Sequence, residues 1–165
     1  RGSGADLAAA IEGGLVTYQQ QGEWQGIAEL PEVGLYYSGY KLKTPLVLQR
    51  VAAASERLPL LYEELYRLMS LCAEQACEAA KNADWPQLGR LMNIYQGLMD
   101  ALGVNDAKLS EMVYTLRQSD RVLGAKISGS GLGDCVISLG IPEQSLDFEA
   151  IPIKVGRQGV EVDYA

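Results

Sequence analysis

The chain has 165 residues, a formal net charge of −7 and 48% hydrophobic residues, about the length of one domain, with enough apolar side chains to bury a core. The acidic balance and the lack of a basic tract exclude non-specific nucleic-acid binding, which needs clustered Lys and Arg to neutralise phosphates. The sequence holds no histidine, which removes Ser-His-Asp and Cys-His nucleophiles and histidine-ligated zinc.

Catalysis in such a chain draws on carboxylates, lysines, hydroxyls, backbone amides or a borrowed metal. No apolar run approaches the ~20 residues of a membrane span and nothing resembles a signal peptide, so no membrane contact is expected. Cys72, Cys77 and Cys135 are too few and too oddly placed for a disulfide framework, and reduced thiols in a cytoplasmic protein are the expectation. The opening "RGSGADLAAA" lacks Met and is already inside a helix start, so it reads as a piece of something longer.

In chain order, "SGADLAAAIE" (3–12) predicts a short helix with Ser3 as N-cap and Gly13-Gly14 as its stop. "LVTYQQ" predicts a strand, "WQGIAEL" its partner, and "GLYYSGY" (34–40) a further strand. Thr44-Pro45 predicts an N-cap followed by proline at the first helical position, opening a helix to about Ser55. The next 65 or so residues are helical. Leu61, Leu65, Leu68, Met69 and Cys72 form one apolar stripe, and Leu88, Leu91, Met92, Tyr95, Leu98, Met99 and Leu102 a second. Leu109, Met112, Val113 and Leu116 form a third, after a Gly103 stop and an Asn105-Asp106 turn. All three read as core. Then come strand, glycine loop, strand, and a tail predicted to be a hairpin around Gln158-Gly159. Strands, then helices, then strands is the α+β pattern, with helices layered on one face of an antiparallel sheet.

The glycine loop lies in "GAKISGSGLGDCVISLG" (124–140). Its G-x-G-x-G spacing is not the dinucleotide fingerprint, and the β-prone run after it is not the helix that fingerprint requires. No Gly-Lys-Ser/Thr ends it, so it is not a P-loop. Two readings stand side by side: a hairpin with a glycine-rich bend, or a cradle of backbone N–H groups for an anion, with Ser128 and Ser130 adding hydroxyl donors. Asp6 also has two readings. It fits a capping box with Ser3, or a carboxylate held at a helix N-terminus toward a substrate hydroxyl. Lys41, Lys43 and the helix start at Thr44 would suit an anionic group, or be solvated surface.

These segments together resemble a known family. "GSGADLAAAIEGGLVTY" resembles the segment carrying the catalytic aspartate of GHMP-family small-molecule kinases, in particular the mevalonate kinase and phosphomevalonate kinase branch. "GRLMNIYQGLMDALGV" resembles a helix of that branch, and "LGAKISGSGLGDCVISLG" the family's third motif, K-x-[ST]-G-x-G-x-G-x-C. The resemblance implies a C-terminal GHMP kinase domain of ferredoxin-like type over 35–165, with 1–34 the last part of an N-terminal, ATP-binding domain. It implies transfer of the ATP γ-phosphoryl to a small-molecule alcohol or phosphate, with Mg²⁺, in isoprenoid precursor synthesis. Asp6 would be catalytic. Ser128, Gly129, Ser130, Gly131 and Gly133 would form the loop beside phosphates and substrate, with Lys41 and Thr44 as further anion or substrate contacts and no protein metal site. A homodimer fits the branch.

Departures from the pattern matter. The upstream P-x-x-x-G-L-G-S-S motif is absent, so the partner implied is a missing N-terminal domain, and this chain alone would be inactive. Asp134 stands where mevalonate kinases often have Gly, and its "GDC" resembles the phosphomevalonate kinase version. The N-x-x-H pattern reads Asn93-Ile94-Tyr95-Gln96, without His. A phosphomevalonate kinase, or a non-catalytic sensor on the same fold, is the alternative.

Overall fold

A computed structural model describes residues 4–19 and 23–161. The helices are α1 (Ala5–Glu12), α2 (Thr44–Arg57), α3 (Pro59–Lys81), α4 (Trp85–Ala101) and α5 (Ala107–Arg117). The strands are β1 (Leu15–Tyr18), β2 (Trp24–Ile27), β3 (Val33–Lys41), β4 (Gly124–Ser128), β5 (Gly133–Leu139) and β6 (Glu149–Ile151). β1 and β2 form a separate antiparallel pair; the other four make one antiparallel sheet in the order β4-β5-β3-β6. No described helix is long and apolar enough to cross a membrane.

Period-two alternation sets the buried face of the sheet. Gly34, Tyr36 and Ser38 of β3 are buried while Val33, Leu35 and Tyr37 between them are half-buried, as the pleat requires. Tyr36, Ala125, Ile127 and Val136 share a core with Val47 of α2, Met99 of α4 and Leu109, Met112, Val113 and Leu116 of α5. The α5 stripe is the tightest match to expectation, each of its four residues no more than 1% exposed. The α+β class with helices layered over an antiparallel sheet holds.

β4 is an edge strand whose outward backbone groups need partners. Helices supply them through side chains. Asn93 Oδ1 accepts from Ala125 N (3.1 Å), Gln96 Oε1 accepts from Ile127 N (2.8 Å), and Arg117 Nη2 donates to Ala125 O (2.7 Å). α4 gets this close because Gly89 and Gly124 face each other: a Cβ on Gly124 would lie 2.3 Å from Gly89 O.

Four expectations are corrected. Ser3 lies outside the described residues, and α1 starts with Gly4 as its cap, without a side-chain cap bond. Helix α2 takes Lys43, not Thr44, as N-cap, so Pro45 is its second residue. In α3, Leu61 and Leu68 of the expected stripe are 62% and 47% exposed while its Cys72 is buried; the buried side runs through Tyr62, Cys72, Ala79 and Ala80. Small alanines win those positions because α4 packs closely there, with Leu91 against Cys72 and Ala79. The tail is no hairpin among the described residues. β6 pairs with β3, and the chain then crosses to α1, where Val160 N donates to Ala10 O (2.9 Å) and Gly14 N to Gly156 O (2.6 Å).

Candidate active site

The glycine loop is the turn of the β4–β5 hairpin, so the first of its two readings describes its backbone correctly. Its conformation is unusual all the same. Gly129 (φ 84), Gly131 (83), Leu132 (54), Gly133 (103) and Asp134 (70) all lie in the positive-φ region, which L side chains adopt at a cost. At Gly131 glycine is obligatory for a second reason, since a Cβ would sit 2.2 Å from Val104 O. That closeness comes from a clamp: Leu132 N donates to Val104 O (2.7 Å), and Leu42 N donates to Leu132 O (3.1 Å). The loop is thereby held between the turn before α5 and the chain entering α2.

The clamp gathers the expected contacts. Ser130 Oγ lies 3.4 Å from Thr44 Oγ1, in the first turn of α2. Lys41 opposes Gly133 across β3 and β5, and its Nζ makes a 2.5 Å ion pair with Asp134 Oδ2. That hydrogen bond and charge raise the Lys41 ammonium's pKa further. Two hydroxyls, a helix N-terminus and an ammonium paired with a carboxylate thus gather beside the glycine turn, and the hydroxyls, the helix start and the ammonium are groups suited to an anion.

Behind the loop stand groups that the sequence did not single out. Tyr40, whose carbonyl crowds Gly133, has its hydroxyl pushed up to about 12 by burial and then by Asp106. Asp106 also caps α5, accepting from Leu109 N at 3.0 Å. Lys126, in the motif but given no role by spacing, donates to Ile127 O (2.5 Å) and lies 5.4 Å from the centre of the Tyr95 ring. Burial pulls its amine down to about 8. Asn93 and Gln96 were visible only as a departure from a pattern; their task is to hold β4 in place.

Asp6 is elsewhere. It is the second residue of α1, exposed, and no hydrogen bond or ion pair links it to the loop among the described residues. α1 packs on β1 and receives the tail. The structure brings Lys41, Thr44, Ser128, Gly129, Ser130, Gly131 and Gly133 into one neighbourhood.

Residues 48–149, from α2 to the first residue of β6, match the family described as GHMP kinases C terminal. The chain belongs to the GHMP kinases. Among its curated relatives, the mevalonate kinase of Thermococcus onnurineus is 38% identical over 160 residues, 93% of this chain and 47% of that protein. The mevalonate kinase of Thermococcus sibiricus is 34% identical over 176 residues, 98% of this chain and 52% of that protein. The crystal structure of L. major mevalonate kinase in complex with R-mevalonate aligns with a TM-score of 0.76 at 31% identity, covering 87% of this chain and 45% of that one. This GHMP kinase chain therefore spans about half the length of the curated relatives it matches. The recognised family and its C-terminal fold are as the motifs implied.

Proposed function

We propose that the chain provides the C-terminal half of an ATP-dependent kinase that phosphorylates mevalonate. The observation that carries this is the clamped glycine loop, a donor-rich turn in a chain more than 30% identical to mevalonate kinases over nearly its whole length. In this reading residues 35–165 form the GHMP C-terminal domain and 1–34 complete an N-terminal, ATP-binding domain. The protein works in the cytoplasm, in keeping with its three free thiols.

ATP supplies the phosphoryl group. Gly129, Ser130, Gly131 and Gly133 bring backbone close to its phosphates, Ser128 and Thr44 add hydroxyls, and Lys41 adds charge. Transfer of this kind needs positioning and charge neutralisation more than covalent help from the protein. Magnesium would come bound to the nucleotide and would supply charge neutralisation at the phosphates, since no group of three or more acidic or Cys side chains among the described residues is placed to hold it alone. Asp6 orients the acceptor hydroxyl or accepts its proton; its exposure on α1 leaves it open to a substrate held between domains. The exposed leucines of α2, α3 and the residue between them, among them Leu48, Leu58, Leu60 and Leu61, fit a face covered in the assembled protein, by its remaining length or by a second copy. Asp134 favours phosphomevalonate as the second candidate acceptor.

The test is a coupled ADP-release assay on the protein expressed from the whole reading frame that holds this chain, with mevalonate and phosphomevalonate in parallel. Turnover with mevalonate is expected, and an Asp6→Asn variant should lose about 10²- to 10⁴-fold of it, the usual contribution of a positioned acid or base. Turnover with phosphomevalonate alone would move the assignment to that acceptor. Nucleotide or mevalonate binding without turnover would make the protein a sensor.

A further inference from the structure

Asp134 follows the last loop glycine in a left-handed conformation, φ 70, which Asp tolerates better than most side chains. That conformation turns its carboxylate back over the loop. Within 4 Å, a Cβ built on Gly129 would meet a single atom outside its chain neighbours: Asp134 Oδ2, at 3.7 Å. The carboxylate is thus the group from outside those neighbours that lies over the loop's first glycine. The same oxygen holds Lys41 Nζ at 2.5 Å. Lys41 is brought there by the irregular register of β3 between Tyr37 and Lys41, which sets it opposite Gly133.

We propose that Asp134 is a resident carboxylate latch: it holds the Lys41 ammonium at the mouth of the glycine loop, and an incoming phosphate takes Lys41 by displacing it. The inference rests on the reading of the loop as a phosphate site. With Lys41 53% and Asp134 25% exposed, the pair is open to solvent on the lysine side, and a solvent-screened ion pair is weak enough for a polyphosphate to break. Asp134 thus lowers phosphate affinity twice, by competing for Lys41 and by repelling the bound anion. Its benefit is that an empty loop in an acidic protein does not present an unpaired cation to smaller anions. Lys41, in turn, is a binding residue only once released.

A double-mutant cycle tests this, with MgATP titrated calorimetrically into the full-length protein, its Asp134→Asn and Lys41→Met variants, and the double variant. Asp134→Asn should bind MgATP about two- to fivefold more tightly, the scale of one exposed ion pair. Lys41→Met should cost more affinity in the Asp134→Asn background than in the unaltered protein, because there the lysine is already free. An equal or smaller cost in that background, or weaker binding by Asp134→Asn, would overturn the latch and make Asp134 a support for Lys41. No MgATP binding by any of the four proteins would overturn the phosphate reading of the loop, and the latch with it.

Discussion

Single residues at the loop are fixed by two different constraints. Gly131 is demanded both by its φ of 83 and by Val104 O at 2.2 Å from any Cβ, whereas Gly129 is demanded only by its φ of 84, since its Cβ would find space. Lys126 raises an electrostatic question instead. The folded protein holds its amine near 8 against 10.5 for an unhindered lysine. Between those values the unfolded chain binds the extra proton, so folding bears a penalty that is complete below about 8 and lifts as pH rises toward 10.5. Replacing Lys126 with Met should therefore stabilise the protein at pH 7, and the advantage should shrink steadily between pH 8 and 10 when urea unfolding of the two proteins is compared, following the burial that sets the shift. A difference that stays flat across that range would show that burial does not perturb this amine.

At the scale of elements, the edge strand β4 is secured by side chains rather than by another strand. Gln96 is 6% exposed, and its Oε1 is the acceptor given to Ile127 N. Gln96→Leu keeps much of the volume and leaves that N–H buried without a partner, so it should cost about 1–3 kcal/mol. Urea unfolding would read the loss, and amide exchange at Ile127 should quicken alongside it; wild-type stability in the variant would mean that β4 needs no such support. Element types were legible because 3,4 spacing and two-residue alternation are local properties. The face of α3 was not. Leu61 and Leu68 fit an apolar stripe as well as Tyr62 and Ala79 do, and only the position of α4 chooses between them. Asn93 and Gln96 were opaque for a related reason: a polar residue on a helix declares no partner until a strand end lies beside it.

The whole molecule joins its two described ends. Besides the backbone bonds from the tail to α1, Arg157 Nη1 donates to Ala28 O (3.2 Å), and a Cβ on Gly159 would lie 1.8 Å from Ile11 O. The tail therefore clasps α1 and the end of β2 rather than the four-stranded sheet. Truncation after Ile151 should leave α5, β4 and β5 protected in hydrogen exchange while α1, β1 and β2 lose protection, because stability is distributed in such local units. Uniform loss across the chain would show instead one cooperative unit. If the clasp persists in the assembled kinase, the tail also helps to fix the helix that carries Asp6.

What the sequence determined by itself was whatever is written in neighbouring residues: the α5 stripe, the Gly103 helix stop, the β-prone runs, and three motif segments that together resemble the GHMP kinases. The tertiary structure alone decided which faces were buried, that Asn93 and Gln96 close the edge of β4, that Lys41 meets Asp134, and that the tail crosses to α1. Lys41 and Asp134 stand far apart in the chain, as do Ala10 and Val160. Such pairings follow from how strands register and helices pack, which local propensity does not encode.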